Sequence, residues 1–185
     1  LTDTATSTKA VAAVLNAYNQ PAKKAKDVSD VLFRTVDRGV ISFEELSHNI
    51  GDVLPFASSL NVDLRQVGAS IATMTKAGIS PSETMTRIKA LMQSMLKPST
   101  ALKDAFDDLG VKNGEALIEA KGFQGALEAL AKTTGGSKEK MAELFPNVRA
   151  LGGALALTGD NAKKAGQDVK GMEEATGATN KALSQ

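Results

Sequence analysis

The sequence contains no cysteine and no tryptophan, and it has one histidine and one tyrosine among its 185 residues. Without cysteine the chain can form no disulfide, no thiolate metal site and no cysteine nucleophile. Zinc sites and Ser/His/Asp catalytic arrangements need at least one well-placed imidazole, and most metal sites need more, so a single histidine argues against both. These absences predict that the protein is not an enzyme.

The chain also has no large surplus of charge of one sign. It contains 22 lysines and arginines and 21 aspartates and glutamates, so the formal net charge is +1. A general nucleic-acid binder needs many excess cations to displace counterions from phosphates, so the charge balance argues against one, and no sequence-specific nucleic-acid partner is expected. Aromatic residues make up 4% of the chain, against 42% hydrophobic residues. Most of these are small or medium aliphatic side chains that fit closely packed helices, and the length suits one domain of ordinary size.

Long hydrophobic runs are absent as well. The best apolar run, from 151 to 157, contains two glycines and is far shorter than the ~20 residues that a membrane span requires. The first residues carry threonine and aspartate where a signal peptide has a basic region, so no signal peptide is expected. Because the sequence begins with Leu1, we expect it to be part of a longer chain.

Apolar residues recur at spacings of three and four, the period of an amphipathic helix, and no convincing stretch alternates with a period of two. The clearest stripes are Val28, Val31, Leu32 and Val36; Leu64, Val67, Ile71 and Met74; Met85, Ile88, Met92, Met95 and Leu96; and Leu102, Ala105, Phe106 and Leu109. Three helix starts have the residue types of a capping box, in which two side chains satisfy backbone N–H groups reciprocally. These pairs are Ser42 with Glu45, Asp63 with Gln66, and Ser80 with Glu83.

Helix ends are marked by glycine at Gly39, Gly78 and Gly110, where a left-handed backbone can close a helix without a Cβ penalty. Asn61 takes the same role in one variant of this pattern. Pro55 should kink or split the helical pattern over 46–60, because it removes a backbone hydrogen bond. The sequence therefore predicts an all-α fold: an irregular array of short helical hairpins followed by a more extended C-terminal helix.

Three further segments have less regular sequence patterns. Glycines interrupt a weak stripe over 112–123, whose structure stays open, and Gly135-Gly136 places a loop at 133–137. After Pro146 we expect a helix that runs through Val148, Leu151 and Leu155 and ends near 158–159.

The character of the chain changes after residue 158. Asp160 can cap a new helix, but its stripe is thin, and glycines weaken its helicity by roughly 1 kcal/mol each relative to alanine. A marginal helix of this kind needs a partner, either another chain or another copy of itself. We therefore predict a helical core domain over 1–158 and the start of an extended or coiled helical segment over 159–185. The stripe consists of Ala162, Ala165, Val169, Met172 and Ala175.

No residue set supports a catalytic, cofactor-binding or metal site. His48 has no triad partners nearby in the sequence and is interpreted as an ordinary helical histidine. Adjacent residues on a helix point about 100° apart, so the pairs Glu44-Glu45, Asp107-Asp108 and Glu173-Glu174 are interpreted as solvated faces. Gly135-Gly136 lacks the Lys-Ser/Thr of a phosphate loop and follows no strand.

Two side-chain clusters allow both a structural and a functional interpretation. Methionines can form an adaptable partner-binding surface or fill gaps in a core poor in aromatics, and we favour the core. They are Met74, Met85, Met92 and Met95. The basic residues Lys23, Lys24 and Lys26 are offset by nearby aspartates, which favours a solvated face.

A series of short phrases follows one another in a fixed order over roughly residues 22–180. They are Asp27 to Leu32, Phe43 to Leu46, Ala77-Gly78-Ile79, Leu91, Leu96, Pro98, Ala101-Leu102, Leu109-Gly110-Val111, Leu127 to Leu130, Leu144-Phe145, Val148 to Leu151 and Leu155 to Asp160. In this order and spacing the chain resembles the core region of phage tail tape measure proteins. It departs from them in having Glu83-Thr84-Met85 where the family has a phrase of small residues.

The resemblance implies a structural role. Tape measure proteins lie in the lumen of the tail tube, set its length and are ejected ahead of the genome. It also implies assembly in the host cytoplasm, contact with tail tube and tail-tip or baseplate proteins, and self-association in trimer-like copies. Membrane contact would come only from other parts of the full-length chain.

Three other classes stay open from the residues alone. A helical scaffold module without phage origin fits the same composition. The Ala- and Gly-rich amphipathic stripes suggest a membrane-active protein, although the balanced charge argues against it. A hydrolase domain fused to a tail protein is opposed by the lack of a plausible site.

Overall fold

The computed structural model describes residues 4–179, which form eleven α-helices and three 3-10 turns and contain no strand. The all-α prediction is confirmed, and the predicted terminal parts at 1–3 and 180–185 lie outside the described residues. The helices are α1 (Thr4–Ala17), α2 (Ala25–Arg38), α3 (Phe43–Asn49), α4 (Leu54–Ser59), α5 (Leu64–Lys76), α6 (Pro81–Leu96), α7 (Thr100–Asp108), α8 (Gly114–Thr133), α9 (Lys138–Leu144), α10 (Val148–Leu157) and α11 (Ala162–Glu173).

Helices α5 and α6 form the centre of the molecule. Helix α10 lies along α6, while α2 and α11 lie along α5. One main core runs through the array from α1 to α10, with Phe106, Phe123 and Phe145 among its fully buried side chains. All four methionines of the predicted cluster are buried in this core, which confirms the gap-filling interpretation.

The predicted helix starts are confirmed as caps, but only one is a reciprocal box. The Ser42 side chain accepts from the N–H of Glu45, whose carboxylate accepts in return from the Ser42 N–H at 2.8 Å. The side chains of Asp63 and Ser80 also accept from N–H groups in the first turns of α5 and α6.

For the other two capping boxes, the prediction of a reciprocal hydrogen bond is wrong, because the Gln66 and Glu83 side chains bind other partners. The amide oxygen of Gln66 accepts from the backbone N–H of Phe123 in α8. The carboxylate of Glu83 instead accepts from the Arg87 guanidinium at 2.8 Å, one turn along the same helix. Gln66 therefore joins α5 to α8, and Glu83 forms an ion pair within α6. Neither side chain completes a reciprocal capping box.

Most of the predicted helix ends are confirmed. Gly78, Gly110 and Asn61 have positive φ values of 84°, 69° and 53°, the left-handed conformation expected after a helix. Pro55 does split the pattern over 46–60, where α3 passes through a 3-10 turn before α4 begins with the proline in its first turn.

Gly39 ends α2 by a different mechanism from the one predicted. Its φ is −98° and its ψ −179°, an extended conformation that any residue can adopt. A Cβ at this position would lie 2.9 Å from the Thr35 carbonyl oxygen and 3.0 Å from the Thr75 hydroxyl. The same hydroxyl accepts from the Val40 N–H at 3.0 Å, so glycine is needed here for the close approach of α2 to α5.

Most of the segment 112–123, whose structure the sequence pattern leaves open, belongs to α8. Helix α8 consists of two helices joined at Gly122, whose φ of 70° and ψ of 168° lie outside helical values. A Cβ on Gly122 would lie 2.8 Å from the Gln66 amide nitrogen, so the residue meets both a conformational and a steric requirement for glycine.

Replacing Gly122 by alanine should lower the free energy of unfolding by about 1–3 kcal/mol, the cost of a non-glycine residue in this backbone region. Urea unfolding of the purified chain measures the change. Gly51→Ala is the control, because a Cβ there meets no atom within 4 Å, and its unfolding free energy should stay unchanged or rise by up to about 1 kcal/mol. Equal effects of the two substitutions would contradict this account of α8.

Helix α10 packs closely against α6, largely through small residues. Val148 is 82% exposed and Leu155 39% exposed, whereas small residues on the opposite side are buried. A Cβ added to Gly153 would lie 2.8 Å from the Leu91 side chain, which shows how closely α10 approaches α6. The helix predicted after Pro146 is confirmed at Val148–Leu157. Of the three residues named for it, Leu151 packs against the core, whereas Val148 and Leu155 are exposed.

Candidate functional site

The titratable residues considered from the sequence do not form a site. His48 is exposed, and its Nδ1 lies 2.8 Å from the Glu44 carbonyl oxygen of the same helix. The paired carboxylates at 44–45, 107–108 and 173–174 are exposed, as expected. Lys23, Lys24 and Lys26 are exposed too, and Lys24 pairs with Asp27 at 2.8 Å.

Residues 4–179 contain neither a cluster of metal-ligating side chains nor a helix that could span a membrane. No group of three or more histidines, aspartates or glutamates is placed to hold a metal ion in the part of the chain that the structure describes. Within the same residues, no helix is both long enough and apolar enough to cross a bilayer.

The most specialised arrangement is the docking of the C-terminal segment on the core. We call residues 162–179, which comprise α11 and the turn after it, the strap. Met172 of the strap is fully buried and packs with Ala69 and Ala72 of α5, apart from the main core. A Cβ on Gly68 would lie 3.5 Å from the Met172 methyl carbon and would overlap the Thr35 hydroxyl. Small residues on α5 therefore form the groove in which the strap lies.

A buried carboxylate fixes the strap at the middle of this groove. The Asp168 side chain is 1% exposed, and its Oδ1 lies 2.6 Å from Lys76 Nζ and 3.0 Å from Arg38 Nη2. Its Oδ2 accepts from the Thr73 hydroxyl at 2.7 Å. We call these four residues the Asp168 clamp. Because a buried carboxylate without such partners would be strongly unfavourable, the clamp specifies one position of the strap.

One face of α2 carries further contacts to the strap. Asp30, Arg34 and Arg38 follow one another at a spacing of four, so they share a helix face. Arg34 Nε donates to the Gly171 carbonyl oxygen at 3.3 Å. The Asp30 carboxylate accepts from the backbone N–H groups of Gly177 and Thr179 at 2.8 and 2.9 Å. The strap is thus held at its middle and at its end.

The electrostatics of Asp30 follow from this second attachment. Burial of the carboxyl raises its pKa, but the hydrogen bonds from Thr179 and Gly177 lower it by more, so the pKa of Asp30 lies below its usual value. The stabilisation from Asp30 is therefore complete above the unfolded pKa of about 4 and is lost as the pH falls through the lowered pKa.

Asp30→Asn should lower stability at neutral pH by about 1.5–3 kcal/mol, the range for hydrogen bonds to a charged group. The difference from the wild-type protein should shrink as the pH falls below about 4, because the Asp30 carboxyl of the unfolded chain is then protonated first and that of the folded chain only at lower pH. Urea unfolding between pH 6 and pH 2.5 measures both effects. Asp27→Asn is the control, because Asp27 is exposed on the same helix; a constant Asp30→Asn difference across the pH range would contradict the assignment.

Of the residues at this site, the sequence pattern predicts the apolar stripe that contains Met172 but none of the polar partners. A recognisable signal was present in α2, where Asp30, Arg34 and Arg38 form a polar line beside the apolar stripe. A second was Asp168, which lies at a spacing of three and four between Ala165 and Met172, inside the thin stripe of the strap. A charged residue within an apolar stripe indicates a buried ion pair, but only the fold identifies its partners.

Comparison with known proteins gives one consistent result. The model of the family described as "Phage-related minor tail protein" matches residues 1–146. The chain is 27% identical over 181 residues to the "Probable tape measure protein" of Clostridium phage phiCD119, covering 92% of this chain. It is 26% identical over 180 residues to the "Tape measure protein" of Pneumococcus phage Dp-1, covering 95% of this chain.

The match covers only part of each relative. The chain spans 19% of the first relative's length and 16% of the second's, so it corresponds to less than a fifth of either protein. No solved structure matches the chain significantly.

Proposed function

Because the chain belongs to the phage-related minor tail protein family, we propose that it is the folded core of a tape measure protein that lies in the lumen of a phage tail tube. The observation that supports this most strongly is the alignment of nearly the whole chain with two proteins named as tape measure proteins. As part of the tail, the chain is a structural protein, and its role in setting tail length belongs to the longer protein of which it is a part.

We propose that residues 1–158 form a compact domain and that the length-measuring part of the protein begins after it. A helix rises 1.5 Å per residue, so a ruler needs long uninterrupted helix. The left-handed turns at Gly78 and Gly110 and the break at Gly122 interrupt the helices of the core repeatedly. The core therefore contributes little length for its number of residues, which supports a length-measuring part that lies outside it.

The partners follow from this location. A chain inside the tube faces the tail tube protein along its length and the tail-tip or baseplate proteins at its end. Self-association in several copies, ejection during genome delivery and assembly in the host cytoplasm belong to the same proposal. The near-zero net charge fits a protein that must pass the tube wall and the DNA without adhering to either.

Protease protection of purified particles tests the proposal. We expect mass spectrometry to detect this chain in isolated tails, protected from added protease until genome ejection is triggered and released afterwards. The tail tube protein, which should stay with the particle, serves as the internal control. Absence of the chain from tails, or digestion in intact particles before ejection, would contradict the location. A liposome leakage assay on the purified chain addresses the membrane-active alternative, and we expect no leakage.

A further inference from the structure

We propose that the strap is a detachable latch, which opens as one unit about residues 158–159 while the core from α1 to α10 stays folded. The inference deepens the proposed function, because it describes how the compact core is joined to the chain beyond it. Its test uses only the purified chain, so it can fail while the tail assignment holds, and the reverse is also true.

The apolar packing of the strap is nearly independent of the main core. The cluster around Met172, Ala69 and Ala72 is separate from that core, to which the strap contributes only Ala165. Removing the strap therefore uncovers a groove on α5 and smaller parts of α2 and α8, but leaves the large side chains of the main core in contact with one another. A segment with so small a share of the core can open without global unfolding.

The strong attachments of the strap are polar and concentrated at two points. They are the Asp168 clamp and the two hydrogen bonds to Asp30. A cavity of about 260 Å³ adjoins the clamp, and the side chains of Arg38 and Lys76 are 26% and 41% exposed. Water and salt ions can therefore replace the carboxylate as partners of these cations when the strap leaves. This makes opening sensitive to ionic strength, which apolar packing would not be.

The connection to the core has the form of a hinge. Helix α10 ends at Leu157, and Thr158 follows with an extended backbone. Gly159, with a φ of 58°, begins the short 3-10 turn Gly159–Asn161 that leads into α11. No side chain caps the start of α11, and the helix has only 12 residues. The strap helix is therefore marginal by itself and depends on docking for its order.

Two glycines of α11 provide a matched pair of variants. A Cβ on Gly171 would overlap the Arg38 guanidinium, so alanine there must displace Arg38 from its position against Asp168. A Cβ on Gly166 meets no atom within 4 Å, so alanine there only favours the helical conformation. The same chemical change in the same helix thus has opposite expected effects on docking.

Hydrogen exchange measured by mass spectrometry on the purified 185-residue chain tests the proposal. In the wild-type protein we expect strap amides to exchange together and at least tenfold faster than amides of α5 and α6, and faster still in 1 M salt. Gly171→Ala should accelerate strap exchange about tenfold and leave α6 unchanged. Gly166→Ala should slow strap exchange by up to about fivefold, which corresponds to the ~1 kcal/mol difference between glycine and alanine in a helix.

Exchange of the strap only together with α5 and α6 would overturn the proposal, because the strap would then open only by global unfolding. A Gly171→Ala variant that accelerates exchange equally in strap and core would also overturn it. The Gly166→Ala variant keeps the test decisive if Gly171→Ala does not fold, because slowing confined to the strap supports the latch and uniform slowing contradicts it.

Discussion

Phe123→Ala is expected to lower the free energy of unfolding of the whole chain by about 3–5 kcal/mol. Phe123 is fully buried, and its backbone is fixed at the start of the second half of α8 by the hydrogen bond to Gln66. Because Gly122 holds the break between the two halves, the backbone around residue 123 cannot easily move inward to fill the space that alanine leaves. The cost should therefore include a cavity in addition to the lost transfer free energy.

Urea unfolding followed by circular dichroism measures this change. Leu96→Ala serves as the control, because Leu96 is a large apolar residue that is 47% exposed, and its loss should cost about 1 kcal/mol or less. A Phe123→Ala variant within 1 kcal/mol of the wild-type protein would show that this part of the core is not packed as described.

Asp168→Ala is expected to weaken docking of the strap by about 3 kcal/mol without a comparable loss in the core. Removing one partner of a buried ion pair costs about 3–5 kcal/mol, because the other partner is left without compensation. The lower end applies here, because Arg38 and Lys76 reach solvent and can be hydrated after the carboxylate is gone. The effect should be confined to the strap, since the main core holds only Ala165 of that segment.

Limited proteolysis with mass spectrometry separates the two regions. In Asp168→Ala we expect early cleavage within 162–179 and a stable fragment that ends near residue 158. Glu173→Ala is the matched control, because Glu173 is an exposed acidic residue of the same helix. Cleavage spread over the core, or no difference between the two variants, would contradict the separate role of the clamp.

The sequence predicted the local features of this fold well, because each depends on a few neighbouring residues. The cap at Ser42, the left-handed turn at Gly78 and the split at Pro55 all follow from backbone geometry and hydrogen bonding within a turn or two. Features that depend on distant partners were missed. Gln66 was assigned to its own helix start, although its partner is the Phe123 N–H in α8.

The same distinction explains what was missed in the strap. Its thin apolar stripe indicates a helix that needs a partner, but the prediction that this partner is another chain or a second copy is wrong, because α11 packs on α5 of the same chain. Periodicity along one helix cannot identify its partner. The decisive groups are Asp168, Arg38 and Lys76, which lie far apart in the sequence. On α10, the close approach to α6 selects small residues and leaves Val148 exposed, a result that depends on the distance between two helices.

The tail length of particles that carry matched insertions tests the central proposal most directly. A helical segment of about 72 residues, which would span about 110 Å, is inserted either directly after Thr179 or into the core loop at Gly135-Gly136. We predict tails longer by about 110 Å for the first insertion and tails of unchanged length for the second, as measured by electron microscopy. Equal lengthening by both insertions would show that the core is extended along the tube, and no lengthening by either would contradict the role in setting tail length.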